Sequence, residues 1–315
     1  MPVPKELEFM VNARRPQRAT TARLDGQTCV ITGATSGVGL AAAVELTRGG
    51  AHLVMLCRNR QKAERVQQQL ASTGGQTPEI IMADMQSLDQ VRRAAQETLA
   101  ICPRIDLLIN CAGVHQTRRE LTPDGHEMAF AVNHLASFLL TRLLLQRLQD
   151  SAPARIIQVN SEGHRFGGLD LDDLTWQSRR YRGLQGYGAS KIAQLLTVWE
   201  LTERLAGTGV TINAMHPGAV RSNIGMNNGW LYRQYSRVLQ RFFLKDAAIS
   251  GRALYYLAAA PEMATISGRF FHLTNEEEPA PHALDRKMGQ RVWRISEALT
   301  GLPSSASTQE GAFDR

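Results

Sequence analysis

Long apolar runs are missing from this chain. No stretch approaches the roughly eighteen consecutive apolar residues that a membrane-spanning helix requires. The polar N-terminus also lacks the apolar core of a signal peptide, so a soluble, cytoplasmic protein is expected. Cysteine is scarce. Its four instances, Cys29, Cys57, Cys102 and Cys111, show no C-x-x-C spacing and no accompanying cluster of histidines. A zinc site or a disulfide framework therefore has no support, and no metal is expected. Three of the four sit in apolar runs, as small buried hydrophobes do in a reducing compartment. Blocks of like charge are absent as well. The formal charge of +7 comes from scattered lysines and arginines, which argues against nucleic acid as a partner. The one local concentration, "NARRPQR" at Asn12–Arg18, reads as a solvated arm. No Gly/Pro/Ser-rich linker and no internal repeat divides the 315 residues.

What is present is an alternation. The runs "TCVITG", "HLVMLC", "EIIMAD", "IDLLINCAG", "ARIIQVNS", "VTINAMHPG" and "GRFFHLT" are short, rich in apolar residues, and end in small or polar ones. Longer segments with helical spacing lie between them, such as "QKAERVQQQLAST" and "SKIAQLLTVWELTERLA". Strands that are apolar throughout and separated by helices indicate a parallel sheet covered on both faces. The expected fold is a single doubly wound α/β domain of Rossmann type, with a mostly parallel sheet of about seven strands. Its expected bounds are 25–274, between an N-terminal arm (1–24) and a C-terminal extension (275–315). That extension reads as an appendage with a short helix near "MGQRVWRISEALTGL" and about a dozen disordered final residues.

In such a sheet, ligands bind outside the carboxyl ends of the strands. Each of the first six strands is followed there by a polar or glycine-containing motif. The first is the glycine turn of "CVITGATSGVGLAAAVEL", with Gly33, Gly37 and Gly39. A strand, a tight turn and a helix N-terminus together present backbone N–H groups and a positive dipole end, a seat for a phosphate. Packing alone is the competing reading of these glycines. The later strands end in Cys57-Arg58-Asn59, Ala83-Asp84-Met85, Asn110-Cys111-Ala112-Gly113, Asn160-Ser161 and His216-Pro217-Gly218.

With these motifs in order, the chain resembles the short-chain dehydrogenase/reductase family over about 250 residues. Thr32–Gly39 matches the family's T-G-x-x-x-G-x-G, "NCAG" its N-N-A-G at all but one position, and "YGASK" its Y-x-x-x-K, with Ser161 and Asn133 upstream. "LTPDGHEMAFAVNHLASFLLT", "CRN" and the long spacing from Ser161 to Tyr187 are most similar to the branch of retinol dehydrogenases and WW-domain oxidoreductase. Cys111 and Asn160 depart from the pattern, the latter standing where a Ser-Ser pair is common.

The resemblance implies catalytic roles for Asn133, Ser161, Tyr187 and Lys191. It implies cofactor contacts from Gly33, Thr35, Ser36, Gly37, Val38, Gly39, Asp84, Asn110, Ala112, Gly113, Tyr187, Lys191, Pro217 and Gly218, and a homodimer or homotetramer. Tyr187 and Lys191 are one helical turn apart and project from one face. An ammonium beside the phenol, with an oxidised nicotinamide, is expected to favour phenolate; a drop of ~3 pKa units corresponds to roughly 4 kcal/mol. Ser161 is expected to hold the substrate oxygen and Asn133 to orient a water. Glu162, His164 and His216 rank below Tyr187 as proton carriers, with turn or loop roles favoured for them.

An acid at the end of the second strand would select NAD, and an arginine accommodates a 2′-phosphate. Arg58 stands there, so NADP(H) is expected, with NAD(H) as the alternative. The segment "AVRSNIGMNNGWLYRQYSRVLQRFFLKD" falls where the family carries its substrate-covering loop. Its apolar side chains suit a lipophilic carbonyl or alcohol, or else packing and a subunit contact. Membrane-bound retinol dehydrogenases commonly carry an N-terminal anchor that is not expected here, so retinoid activity does not follow. The competing function is a nucleotide-binding regulator or scaffold without turnover.

Overall fold

Thr28–Thr32 is buried at every position and forms β1, the strand around which the rest is arranged. The computed structural model describes Asn12 and residues 15–72, 74–218 and 246–304. From β1 the chain runs through α1 (Gly37–Arg48), β2 (His52–Cys57), α2 (Arg60–Ala71), β3 (Glu79–Met82) and α3 (Leu88–Ile101) to β4 (Leu107–Asn110). A π-helical turn (Phe130–Leu135) leads into α4 (Ala136–Asp150), followed by β5 (Ala154–Val159), a 3₁₀ turn (Glu162–Arg165), α5 (Gly183–Arg204) and β6 (Val210–His216). Then come α6 (Ala248–Ala259), β7 (Phe270–His272), β8 (Asn275–Glu276) and α7 (Arg286–Leu299). Asn59, Ser87 and Asp285 start α2, α3 and α7 by accepting the backbone N–H three residues on, as short polar caps do.

The sheet order is β3-β2-β1-β4-β5-β6-β7-β8. Among the described residues the first seven strands are parallel and β8 is antiparallel, which gives the sheet eight strands there where about seven were expected. The extra one is a two-residue return after β7, too short to leave an alternation in the sequence. Because successive strand residues face opposite sides, the sheet generates two cores. Val30, Val54, Leu108 and Ile156 point into one, covered by α3, α4, α5 and α7. Cys29, Ile31, Met55 and Ile109 point into the other, covered by α1, α2 and α6. The strand order reverses between β1 and β4, which opens a crevice at their carboxyl ends.

Two expectations are corrected. The chain beyond Thr274 is not an appendage: Trp293 on α7 is buried and stacks edge-on against Phe138 with ring centroids 5.0 Å apart. Its indole N–H donates to Glu297 (2.8 Å), which pairs with Arg142 (2.6 Å). An amphipathic helix with a tryptophan on its apolar stripe gains most by packing on the domain. Nor is the described part of the N-terminal arm merely solvated. Leu24 is buried, Arg18 N donates to Thr274 Oγ1 (2.8 Å), and Asn12 Nδ2 donates to the buried Glu277 carboxylate (2.9 Å). The disorder expected of the final residues falls outside the described residues. Among the described residues, no helix is long and apolar enough to cross a membrane. The four cysteines are free and three of them are buried.

Candidate active site

At the end of β1, Gly33 (φ 73°) and Gly37 (φ 54°) occupy the left-handed region that favours glycine. Packing demands the other features of the turn. A Cβ on Gly39 would stand 2.3 Å from the Gly33 carbonyl oxygen, and one on Gly33 would stand 2.9 Å from Ala112 Cα. The packing reading of the glycines therefore applies: they let β1, β4 and α1 approach, and that approach brings the start of α1 to the crevice. Ser36, the N-cap of α1, makes no side-chain cap bond, and the first turn carries no acidic residue. The helix start thus keeps the positive character that suits a pyrophosphate. Thr32 Oγ1 accepts from both Cys111 N and Ala112 N at 2.9 Å and ties the ends of β1 and β4 together. This bond involves only the backbone of residue 111, so cysteine is tolerated there.

The remaining residues singled out in the sequence follow or end their strands at the carboxyl edge of the sheet. Arg58 is exposed at the end of β2. Asp84 after β3 accepts from Gln86 N (3.1 Å), and its own N–H donates to Gln90 Oε1 (3.1 Å). Asn110 at the end of β4 is buried; its amide donates to Thr141 Oγ1 (2.9 Å) while its side-chain oxygen makes no hydrogen bond. After β6, the Pro217 carbonyl accepts from Ser250 Oγ (2.6 Å), and Gly218 has φ 78°. Thr35 and Val38 lie in the glycine turn and at the start of α1. The segment expected to cover the substrate lies outside the described residues, its final Asp246 apart.

Ser161, Tyr187, Lys191 and Asn133 come from the end of β5, the first turns of α5 and the π-helical turn. Ser161 Oγ accepts from Gly163 N (3.0 Å), which leaves its hydrogen for another oxygen. Lys191 Nζ is buried, donates to the Val159 carbonyl (3.1 Å) and Gln194 Oε1 (2.9 Å), and sits 5.7 Å from the centre of the Tyr187 ring. Asn133 is fully buried. Its Oδ1 accepts from Val114 N (2.8 Å), and its Nδ2 donates to Val114 O (3.0 Å) and Ser190 Oγ (2.9 Å). Both its side-chain hydrogens are thereby engaged in pinning the loop after β4 to α5. A Cβ on Gly113 would fall 3.3 Å from Asn133 Oδ1 and 4.0 Å from Lys191 Nζ. Glycine thus leaves a gap above the lysine.

The electrostatics of the chain by itself run opposite to the expected lowering of the phenol. Burial pushes the Tyr187 phenol up to about 12, although the neighbouring Ser161 hydroxyl works in the other direction. Burial likewise brings the Lys191 ammonium down to about 7. The physical reason is that the lysine spends its hydrogen bonds on Val159 and Gln194 and lies over the ring, so desolvation outweighs charge attraction.

His164 is removed from the proton-carrying candidates. Its Nε2 accepts from Ala280 N (3.1 Å), so Nδ1 carries the hydrogen and donates to Ser161 O (2.8 Å); burial holds this neutral ring down at about 4. Several contributors were not singled out in the sequence. Gln194 Nε2 donates to the Asn133 carbonyl, and its Oε1 accepts from Lys191 and Asn160, so it links three elements. Its position one helical turn from Lys191 was the available signal. Asn160 explains its own departure from the Ser-Ser pattern, since its Oδ1 accepts from Ser161 N (2.8 Å) and its amide donates to Lys191 O (3.0 Å). His115 stands edge-on to Tyr187 at 5.5 Å between ring centroids.

A doubly wound sheet with a glycine turn at its switch point, Ser161 after an adjoining strand and Tyr187 and Lys191 in the helix that follows defines a dinucleotide-type α/β protein. The comparisons make the class specific. A family model described as short chain dehydrogenase matches residues 27–229. Human retinol dehydrogenase 13 is 36% identical over 308 residues, covering 96% of this chain and 92% of the relative. Human retinol dehydrogenase 14 is 41% identical over 295 residues, covering 89% and 88%. Among solved structures, an uncharacterized protein from Mycobacterium paratuberculosis superposes with a TM-score of 0.72 at 32% identity, covering 90% of this chain and 98% of that one. A Beutenbergia cavernae protein assigned by name as an NAD(P)-dependent gluconate 5-dehydrogenase, holding NADP at low occupancy, gives 0.65 at 26% identity, covering 80% and 96%. The chain belongs to the short-chain dehydrogenase family, whose members are NAD(P)(H)-using oxidoreductases.

Proposed function

We propose that this protein is an NADP(H)-dependent oxidoreductase that interconverts a carbonyl and an alcohol on a lipophilic substrate, with Tyr187 as general acid and base. The observation that carries the reading is the convergence of Ser161, Tyr187 and Lys191 beside Gly113, next to the uncapped start of α1. In this reading the glycine turn receives the pyrophosphate, and Lys191, below the gap at Gly113, meets the nicotinamide ribose. Arg58 receives a 2′-phosphate, and its exposure at the end of β2 leaves it available to do so. When bound, the nicotinamide supplies or accepts the hydride.

The chain's own residues handle the proton. Ser161 donates its hydrogen to the substrate oxygen and so holds the reacting carbon in place. A phenol kept protonated at neutral pH is suited to give its proton to that oxygen in the reductive direction. Lys191, poised near neutrality by burial, is suited to carry positive charge as the phenolate forms. Asn133 acts as a positioning residue, since its amide fixes the Gly113–Val114 loop against α5.

A lipophilic substrate is supported by the apolar and aromatic content of residues 219–245 and by the names of the relatives, with a retinoid among the candidates. The test is a screen of NADPH oxidation and NADP⁺ reduction by the purified chain over aldehydes, ketones, steroids and retinoids, with Tyr187→Phe as control. Turnover lost in the variant supports the reading. Tight NADPH binding with no turnover across the panel would point to a nucleotide-binding regulator.

A further inference from the structure

A second group of chemistry-bearing side chains lies behind the turn that carries Ser161. His216 ends β6 and His272 ends the neighbouring strand β7; the two are register partners, with ring centroids 4.9 Å apart and planes at 90°. Glu162, in the 3₁₀ turn after β5, reaches the same point. Each of the three offers one ligand-capable atom, and these atoms all lie within 4.8 Å of one another. Both histidines are buried, with exposures of 9% and 4%. His216 Nδ1 and Glu162 Oε1 are inaccessible and make no hydrogen bond within the ordinary distance, and His272 Nδ1 meets Glu277 Oε2 at 3.5 Å. Such atoms are costly to bury without a partner.

The surrounding charge favours a cation. Glu277, with its side chain fully buried, sits 3.5 Å from His272 Nδ1. Arg165 pairs with both Glu162 (2.5 Å) and Glu277 (2.7 Å). Two carboxylates thus face one guanidinium, which leaves the pocket a charge short when both are ionised. A proton shared between two of these atoms would neutralise that charge and satisfy both, whereas a dication would satisfy all three. Three atoms within 4.8 Å of one another share a point within about 2.8 Å of each. Closing to the ~2.0–2.1 Å of zinc–nitrogen and zinc–carboxylate bonds therefore takes roughly 0.7 Å of movement per side chain. Two imidazoles and a carboxylate are a donor set for borderline ions such as Zn²⁺, in preference to the hard Mg²⁺ or Ca²⁺.

We propose that Glu162, His216 and His272 bind a divalent transition metal, Zn²⁺ by donor type, which cross-links the ends of β5, β6 and β7 behind the Ser161 turn. The ion is structural. It joins residues separated by as many as 110 positions in the chain and stiffens the strand ends that carry Ser161 and Pro217-Gly218. Arg165 and Asn12 hold Glu277 as the facing counter-charge.

The test uses the tag-free full chain, stripped with a chelator and titrated with Co²⁺, whose visible absorption reports imidazole and carboxylate coordination. Zn²⁺ is then added to displace it. The expected result is one ion per chain, a Co²⁺ spectrum abolished by Zn²⁺, and a thermal midpoint raised by either metal. Affinity should fall about 100-fold or more in His272→Asn and in Glu162→Gln, a nearly isosteric change that serves if the histidine variant does not fold. His52→Asn, at the opposite end of the sheet, should bind as the parent does. Absence of stoichiometric binding by the parent chain at micromolar metal would overturn the proposal, as would Co²⁺ spectra and affinities unchanged in His272→Asn and Glu162→Gln.

Discussion

Gly163 and Tyr187 are in contact such that a Cβ on the glycine would fall 2.6 Å from Tyr187 Cε1. The phenol therefore lies over the Ser161 turn only because residue 163 has no side chain. Gly163→Ala should push the ring away from Ser161, at a stability cost of about 1–3 kcal/mol for overpacking. Turnover should drop at least ~10²-fold while NADPH affinity changes little, since the glycine turn is elsewhere. Steady-state kinetics together with fluorescence titration of NADPH would separate the two; parallel losses in both would show that the contact matters only for folding.

Tyr187→Phe keeps the ring and deletes its ionisable oxygen. Cofactor affinity and thermal midpoint should survive, and turnover should fall by ~10²–10⁴-fold. Near-normal turnover in the variant would require another proton donor. With His164 committed to Ser161 O and Ala280 N, the first to examine would be His115, edge-on to the same ring.

The lowered ammonium of Lys191 has a consequence for stability in the chain without cofactor. Its folded pKa of about 7 lies below the ordinary value of 10.5. Between those two values the unfolded chain binds the proton and the folded chain does not, so this group makes stability rise with pH across that window. Below about 7 the full penalty of a buried cation is present. Lys191→Met should accordingly be more stable than the parent at pH 6, by the order of 1–2 kcal/mol, with the gap shrinking towards pH 10. It should also bind NADPH more weakly. Urea unfolding at several pH values would check this, and a gap independent of pH would refute the assignment of the shift to Lys191.

Arg58→Asp places an acid where a 2′-phosphate is expected. The Michaelis constant for NADPH should rise by ten-fold or more, and that for NADH should stay level or fall. Equal changes for both cofactors would mean that Arg58 does not read the phosphate.

Trp293→Ala removes a buried indole wedged between Phe138 and the guanidinium of Arg204, which stands 4.1 Å from its ring. A loss of about 3–5 kcal/mol is expected from the cavity and the forfeited contacts. The denaturant midpoint measures it. A change under ~1 kcal/mol would mean that α7 is dispensable after all.

What the sequence determines by itself is the parallel sheet and the residues at its strand ends. A strand buried on both faces is apolar through its middle, so β1, β2 and β4 could be read from runs such as "TCVIT" and "HLVMLC". Once the strands are found, the rule that ligands lie at their carboxyl ends selects Gly33, Ser161 and Gly218 without coordinates. Tyr187 and Lys191 were legible for a similar reason, since one turn of a helix fixes their relation locally. Only the tertiary structure decides which of these residues touch, because contact across a sheet depends on strand order and register. The seating of α7 on the core was hidden by its polar flanks. The bond that ties His164 to Ala280 spans 116 residues, and Asn12 reaches Glu277 across 265. The meeting of His216 with His272 and Glu162 follows from β6 lying between β5 and β7, an adjacency that no spacing along the chain records.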